Sequence, residues 1–271
     1  MIDPVLLDLG AIKIRWYSVL ILVAVFIAYK FIMRESNRQH IKTDFMFNML
    51  FWALIFGIVG ARLYYVAFNF EPYRNNLSEI YKVWNGGLAI HGGLIAGLIT
   101  IVLYCRKYKV RTVKVLDIIA PTLLIAQAIG RWGNFFNQEA YGAIVEYDAL
   151  VNMKIIPQFI IDNMYIQGAY RLPMFYFESI FCLIGFIALL IFRRRKYTKN
   201  GQVFSGYLIW YGVVRFIIEA FRSDSLMLSD FKIAQIVSIV MVVAGIIIFI
   251  IQQRKPILDG LYNKPEEEIR F

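Results

Sequence analysis

The sequence predicts an all-α polytopic membrane protein, seven transmembrane helices carrying a small extracytoplasmic cap. Three observations predict it. Hydrophobic residues make up 59% of the 271 and charged residues only 18%, where soluble domains run near 25% charged. The apolar residues come in blocks of about 20, the length that crosses a hydrocarbon core. Short basic clusters separate those blocks, and they fall mostly on one side of the chain's winding.

The blocks run over residues 16–33, 45–69, 87–104, 115–130, 173–192, 203–221 and 231–251, within one membrane domain over 1–271. The first is a retained helix and not a signal peptide, because no basic region opens the chain and no small-residue cleavage pattern follows. The fourth is the shortest. Connections 34–44, 105–114 and 193–202 and the tail from 252 hold 17 Lys and Arg, against 8 in segments 1–15, 70–86, 131–172 and 222–230. Positive charge marks the cytoplasm, which places the N-terminus outside and the C-terminus inside the cell membrane. Segment 131–172 is the one long outer connection. Its Ile155–Ile161 and Met164–Tyr170 runs, broken at Asp162 and Asn163, predict a hairpin in the cap. The tail around Glu266, Glu267 and Glu268 reads as a solvated end.

These features exclude a soluble enzyme, a secreted disulfide scaffold and a disordered chain. The net charge of +10 does not imply nucleic acid, since the basic clusters sit where cytoplasmic anchors sit. Cys105 and Cys182 show no paired spacing, so no structural disulfide is expected. No internal repeat marks the two halves of a transporter.

An ionisable group inside a span costs about 2.5–3.5 kcal/mol at the helix centre on insertion scales, so each needs a partner or a function. Several occur here at one depth. His91, Glu178, Arg215 and Glu219 lie within about 10 Å of the outer ends of their spans at 1.5 Å per residue. Arg131 and Arg222 stand at outer ends, and Arg62 about two turns below one. Tyr211, Arg215, Glu219 and Arg222 are spaced i, i+4, i+8, i+11 on one helical face. That face reads either as a structural ion-pair ladder or as an anion site whose planar guanidinium forks suit a phosphate. His91 lies between glycines in NGGLAIHGG. It is either a histidine bonded across a helix interface or a general base, as an imidazole with an ordinary pKa of about 6.5 takes a proton near neutral pH. Gly130–Gly142 reads GRWGNFFNQEAYG and gathers Arg131, Asn134, Asn137 and Glu139 into the turn leaving the fourth span. A helix stop needs fewer polar groups than this, which favours a binding loop. No zinc spacing, nucleophile elbow or P-loop appears, so a nucleophile would come from the substrate.

The segment GRWGNFFNQEAYG resembles the signature of the bacterial phosphatidylglycerol:prolipoprotein diacylglyceryl transferases. The resemblance extends, in family order, to RWY at Arg15–Tyr17, GAR at Gly60–Arg62, HGG at His91–Gly93 and YGVVRFIIEAFRSDS at Tyr211–Ser225. It implies transfer of the diacylglyceryl group of phosphatidylglycerol to the thiol of the lipobox cysteine of a prolipoprotein signal peptide. A thioether forms and glycerol phosphate leaves. It also implies that Tyr17, His91, Arg131, Asn134, Glu139, Gly142, Arg215 and Glu219 match positions the family relies on. One position departs: where the family carries His-Pro followed by an aromatic and Glu, this chain reads RLPMFYFES, with Pro173 and Glu178 matching and Leu172 in place of the His.

On that resemblance His91 is the candidate base, and Arg131 and Arg215 stabilise the leaving phosphate. Glu139 and Glu219 orient the arginines, while Asn134 and Tyr17 donate to headgroup oxygens. Tyr211, Arg222 and Gly142 complete the phosphatidylglycerol site. No metal or soluble cofactor is required. The alternative is a phospholipid-binding or lipid-transporting membrane protein without covalent chemistry. A transporter, however, needs a polar path into the cytoplasmic half, where mainly Lys30 and Asp117 occur, near the interface.

Overall fold

Contiguous apolar length dictates helix here, because a chain in hydrocarbon has to satisfy its backbone hydrogen bonds within itself. The computed structural model describes residues 3–10, 13–74, 76–223, 227–228, 231–256 and 259–263. In chain order the elements are β1 (Val5–Asp8), β2 (Lys13–Arg15), α1 (Trp16–Arg38), α2 (Thr43–Phe68), α3 (Ile90–Lys107), α4 (Thr112–Phe136), α5 (Tyr147–Asn152), α6 (Gln158–Ile161), β3 (Tyr165–Ile166), β4 (Ala169–Tyr170), α7 (Met174–Phe192), α8 (Gln202–Phe221), β5 (Met227–Leu228), β6 (Phe231–Lys232) and α9 (Ile233–Gln253). Seven of these helices, α1 to α4 and α7 to α9, are long and apolar enough to cross a membrane, as expected. The acidic tail, with Asp224 and Ser225 of the family-like block, lies outside the described residues.

The described residues form two compact units, one of residues 3–32 with 116–263 and one of residues 33–115. In the first, Ala120, Leu124 and Ala128 of α4 pack with Cys182, Phe186 and Leu189 of α7 and Val203 and Tyr207 of α8. Small residues allow the helices of this unit to close up. A Cβ on Gly212 of α8 would stand 2.9 Å from the Ser238 carbonyl of α9. The N-terminus of α8 is capped from α4: the buried Asp117 carboxylate accepts the N–H groups of Gly201 and Phe204. Gly201 sits at φ 95° to make that turn, a conformation with little penalty only for glycine.

In the second unit α2 lies against α3 along a seam of small residues. Gly92 is buried so closely on Gly60 and Tyr64 that no Cβ fits there, and the Ala89 N–H donates to the Ala61 carbonyl at 3.0 Å. The glycines flanking His91 therefore admit a neighbouring backbone, the packing mode of small residues in membrane helices.

Two local expectations are corrected. The fourth span does not stop at Gly130. It continues to Phe136, and Arg131 and Asn134 stand on the helix. The Tyr17 ring lies on Gly133, leaving no room for a Cβ, so that glycine serves packing. The helix is ended by Gln138 (φ 51°) and Ala140 (φ 59°). The cap hairpin is not formed by Ile155–Ile161 with Met164–Tyr170. Pro157 begins the short helix α6, and Ile156, Ile160, Ile161 and Met164 enter one core with Phe135, Leu150, Ile166 and Phe175. That is helical rather than alternating burial. The hairpin is the shorter β3–β4 pair, turned at Gln167 (φ 53°) and Gly168 (φ 81°).

Candidate functional site

The polar residues of α4, α7 and α8 form one continuous chain of charge in the first unit. Arg131 Nη2 meets Glu178 Oε1 at 2.8 Å, and Arg215 Nη1 meets Glu178 Oε2 at 3.1 Å. Arg215 Nη2 reaches Glu219 Oε2 at 2.7 Å, with Arg222 Nη1 on the same oxygen at 3.6 Å. Three guanidinium groups thus alternate with two carboxylates, leaving a formal charge of +1. The carboxylates are the hidden members, Glu178 at 2% and Glu219 at 3% side-chain exposure, whereas Arg131, Arg215 and Arg222 keep 13–19%. Buried acceptors hold the arginines, whose side chains keep some surface, and planar guanidinium groups held in this way suit anion recognition.

The helical period explains the α8 half of this chain, since Arg215, Glu219 and Arg222 lie on one face. Tyr211 from the same face stands 3.5 Å from both Glu178 and Arg131. Its ring stacks on Tyr207 at 5.9 Å, and the Tyr207 hydroxyl accepts from Gln127 at 3.2 Å. A second polar strand leaves Arg131 along the end of α4. Arg131 Nη1 donates to Asn134 Oδ1 at 3.4 Å, and Asn134 Nδ2 donates to Glu139 Oε1 at 2.8 Å, where Asn137 also donates at 3.4 Å.

This geometry corrects one assignment. Glu139 accepts from Asn134 and Asn137 and reaches Arg131 only through Asn134, while the carboxylate directly between Arg131 and Arg215 is Glu178. Sequence reasoning recognised Glu178 as an intramembrane carboxylate but left it out of the site. Its cost inside a span was the available signal, because a carboxylate near Arg131 and Arg215 along the helices meets that cost by pairing with them.

The remaining residues divide. Tyr17 packs its ring on Gly133 within this unit. Gly142 is a close-packing position: its N–H donates to the Leu172 carbonyl at 2.9 Å, and a Cβ there would come within 2.8 Å of Leu172 and Met174. Leu172 therefore acts as packing under the turn, in line with its lack of a titratable group. His91 belongs to the second unit. It occupies the first turn of α3, exposed, with its ring 6.4 Å from that of Tyr64. Arg62 is no part of an anion site. It is buried and donates to the carbonyls of Glu79, Ile80, Gly86 and Gly87 at 2.6–2.9 Å, organising the loop ahead of α3.

Comparison with known proteins agrees with the resemblance in the sequence. The model of the family described as prolipoprotein diacylglyceryl transferase matches residues 4–251. A protein of Streptococcus pneumoniae serotype 4 named phosphatidylglycerol–prolipoprotein diacylglyceryl transferase is 46% identical over 269 residues, covering 99% of this chain and 100% of the relative. A protein of Listeria monocytogenes serotype 4b with the same name is 44% identical over 254 residues, covering 94% and 91%. With the match running through every helix that carries the charge chain, this protein belongs to the prolipoprotein diacylglyceryl transferase family.

Proposed function

We propose that this protein transfers the diacylglyceryl group of phosphatidylglycerol to the lipobox cysteine thiol of prolipoproteins, with the chain Arg131–Glu178–Arg215–Glu219–Arg222 as its phosphate site. That charge chain is the observation that carries the reading, together with membership of the family. The thiol sulfur attacks the sp3 carbon of glycerol that bears the phosphate. The carbon–oxygen bond breaks, its electron pair leaves with glycerol phosphate, and a thioether remains. The phosphodiester carries one negative charge, and the departing oxygen gains a second as the bond breaks. Arg131 and Arg215 therefore hold the transition state more strongly than the bound lipid, which is what accelerates a reaction. Glu178 and Glu219 keep their forks oriented, and Asn134, Tyr17 and Tyr211 supply neutral donors.

A thiol with an ordinary pKa of about 8.5 is mostly protonated at neutral pH, so it needs a base. His91 holds that role on the chemistry and exposure of its imidazole. The Lys and Arg asymmetry of the connections supports an outside N-terminus and an inside C-terminus in the bacterial cell membrane, with the charge chain towards the outer leaflet. The test is to incubate the purified protein with phosphatidylglycerol and a lipobox peptide and to weigh the peptide. The expected result is a diacylglyceryl adduct that disappears when the peptide cysteine becomes Ser. A folded sample that binds phosphatidylglycerol and yields no adduct would return the site to lipid binding without chemistry.

A further inference from the structure

An α-helix ends with carbonyls that have no partner in the helix, and the usual remedy is a left-handed glycine just past the last turn. The end of α8 has no glycine: Arg222 follows Phe221 and leaves in an extended conformation (φ −79°, ψ 139°). The carbonyls are taken instead by one side chain from outside the helix. Lys232 Nζ donates to the Glu219 carbonyl at 2.7 Å, the Arg222 carbonyl at 2.8 Å and the Ala220 carbonyl at 3.3 Å. Lys232 belongs to β6 and is the residue on which α9 starts. A positive charge in this place also has the favourable sign for the helix dipole.

The turn that Lys232 holds carries the last link of the charge chain, Glu219 to Arg222. Its other flank is fixed too. Arg222 bridges to Gly142 in antiparallel fashion, and Ser223 Oγ donates to the Gly142 carbonyl at 3.2 Å. An ammonium has three N–H donors, and three carbonyls receive them here, so none is left for a phosphate.

We propose that Lys232 is a positioning residue for the phosphatidylglycerol headgroup site, acting through the turn 219–222 on the Arg222 guanidinium. The inference rests on the reading of the charge chain as that site. The test uses the full-length protein in phosphatidylglycerol vesicles. Lys232→Met, which keeps the stem and removes the donors, is expected to raise KM for phosphatidylglycerol about tenfold with kcat within about threefold of parental. Lys232→Arg recovers most of that loss. In an Arg222→Gln background, Lys232→Met adds less than about twofold, because both changes act through one group. A parental KM in Lys232→Met, or effects of the two substitutions that multiply, overturns the proposal. If Lys232→Met does not accumulate as folded protein, Lys232→Gln, with a neutral donor, is read by the same two outcomes. Equilibrium binding of phosphatidylglycerol is measured beside turnover. Absence of transfer by the parent overturns the catalytic reading, whereas unchanged lipid affinity in the Lys232 variant overturns the positioning role.

Discussion

Glu178 is the residue on which the arginines of α4 and α8 converge, and its isosteric replacement tests that arrangement. Removing one partner of a buried pair costs about 3–5 kcal/mol. Arg131 and Arg215 retain some solvent, so Glu178→Gln is expected to cost nearer 2 kcal/mol, a discount on that range for screening. It should appear as a lower unfolding temperature in detergent together with reduced transfer; an unchanged midpoint would mean that the arginines are held by something else. Arg215 pairs with two different carboxylates through two different nitrogens, a spacing that a single ammonium does not copy. Arg215→Lys should therefore lose transfer almost as fully as Arg215→Ala, by roughly a hundredfold or more if one charge-assisted contact of about 3 kcal/mol is lost. Near-parental turnover in the Lys variant would reduce Arg215 to a point charge. For His91, replacement by Gln keeps a polar group without a base, and the peptide-adduct rate measured from pH 6 to 9 should fall throughout that range. A parental profile would assign the thiol proton to phosphate or solvent.

At the scale of elements, α8 is held at both ends by charges it does not itself supply, Asp117 from α4 at its start and Lys232 from β6 at its end. Both signs complement the helix dipole. Asp117 is fully buried and accepts two backbone N–H groups. Asp117→Ala is thus expected to destabilise the protein by about 2–3 kcal/mol, the range of a charged hydrogen bond lost with its buried donors left unmade. Thermal unfolding measures it, and a shift no larger than that of a surface substitution would count against the cap. The face Tyr211, Arg215, Glu219, Arg222 was legible in the sequence because helical spacing is local. Neither cap was, because both come from outside the helix, Asp117 from 87 residues before Phe204 and Lys232 from ten residues past Arg222 across a turn. The ends of α4 show the same division. A glycine signals a helix stop when solvent lies beyond it, whereas Gly133 is inside the helix because a Tyr17 ring occupies the space a Cβ would need.

For the molecule as a whole, the described residues make two compact units, with the charge chain wholly in one and His91 in the other. The orientation proposed for it rests on the basic residues of the connections. Cysteines placed at exposed Ser78 and at exposed Lys196 read it directly, since the native Cys105 and Cys182 are buried. In intact cells a membrane-impermeant thiol reagent should label Ser78→Cys, and it should label Lys196→Cys only after permeabilisation. The opposite pattern would invert the topology and carry the phosphate site to the inner leaflet.

By itself the sequence determined the seven helices, because a bilayer demands about 20 contiguous apolar residues and contiguity is a one-dimensional property. It also placed Arg131, Glu178, Arg215 and Glu219 near the ends of their apolar blocks, since rise per residue converts position into distance along a helix. Tertiary structure alone decided which of those groups meet. Glu178, and not Glu139, lies between Arg131 and Arg215 because the packing of α4, α7 and α8 sets lateral neighbours, and depth says nothing of direction around a helix. It likewise decided that Ile160 and Ile161 enter a helical core instead of a hairpin, and that a lysine ten residues past Arg222 closes α8. Side-chain partners from distant segments are chosen by three-dimensional packing, and no local periodicity records that choice.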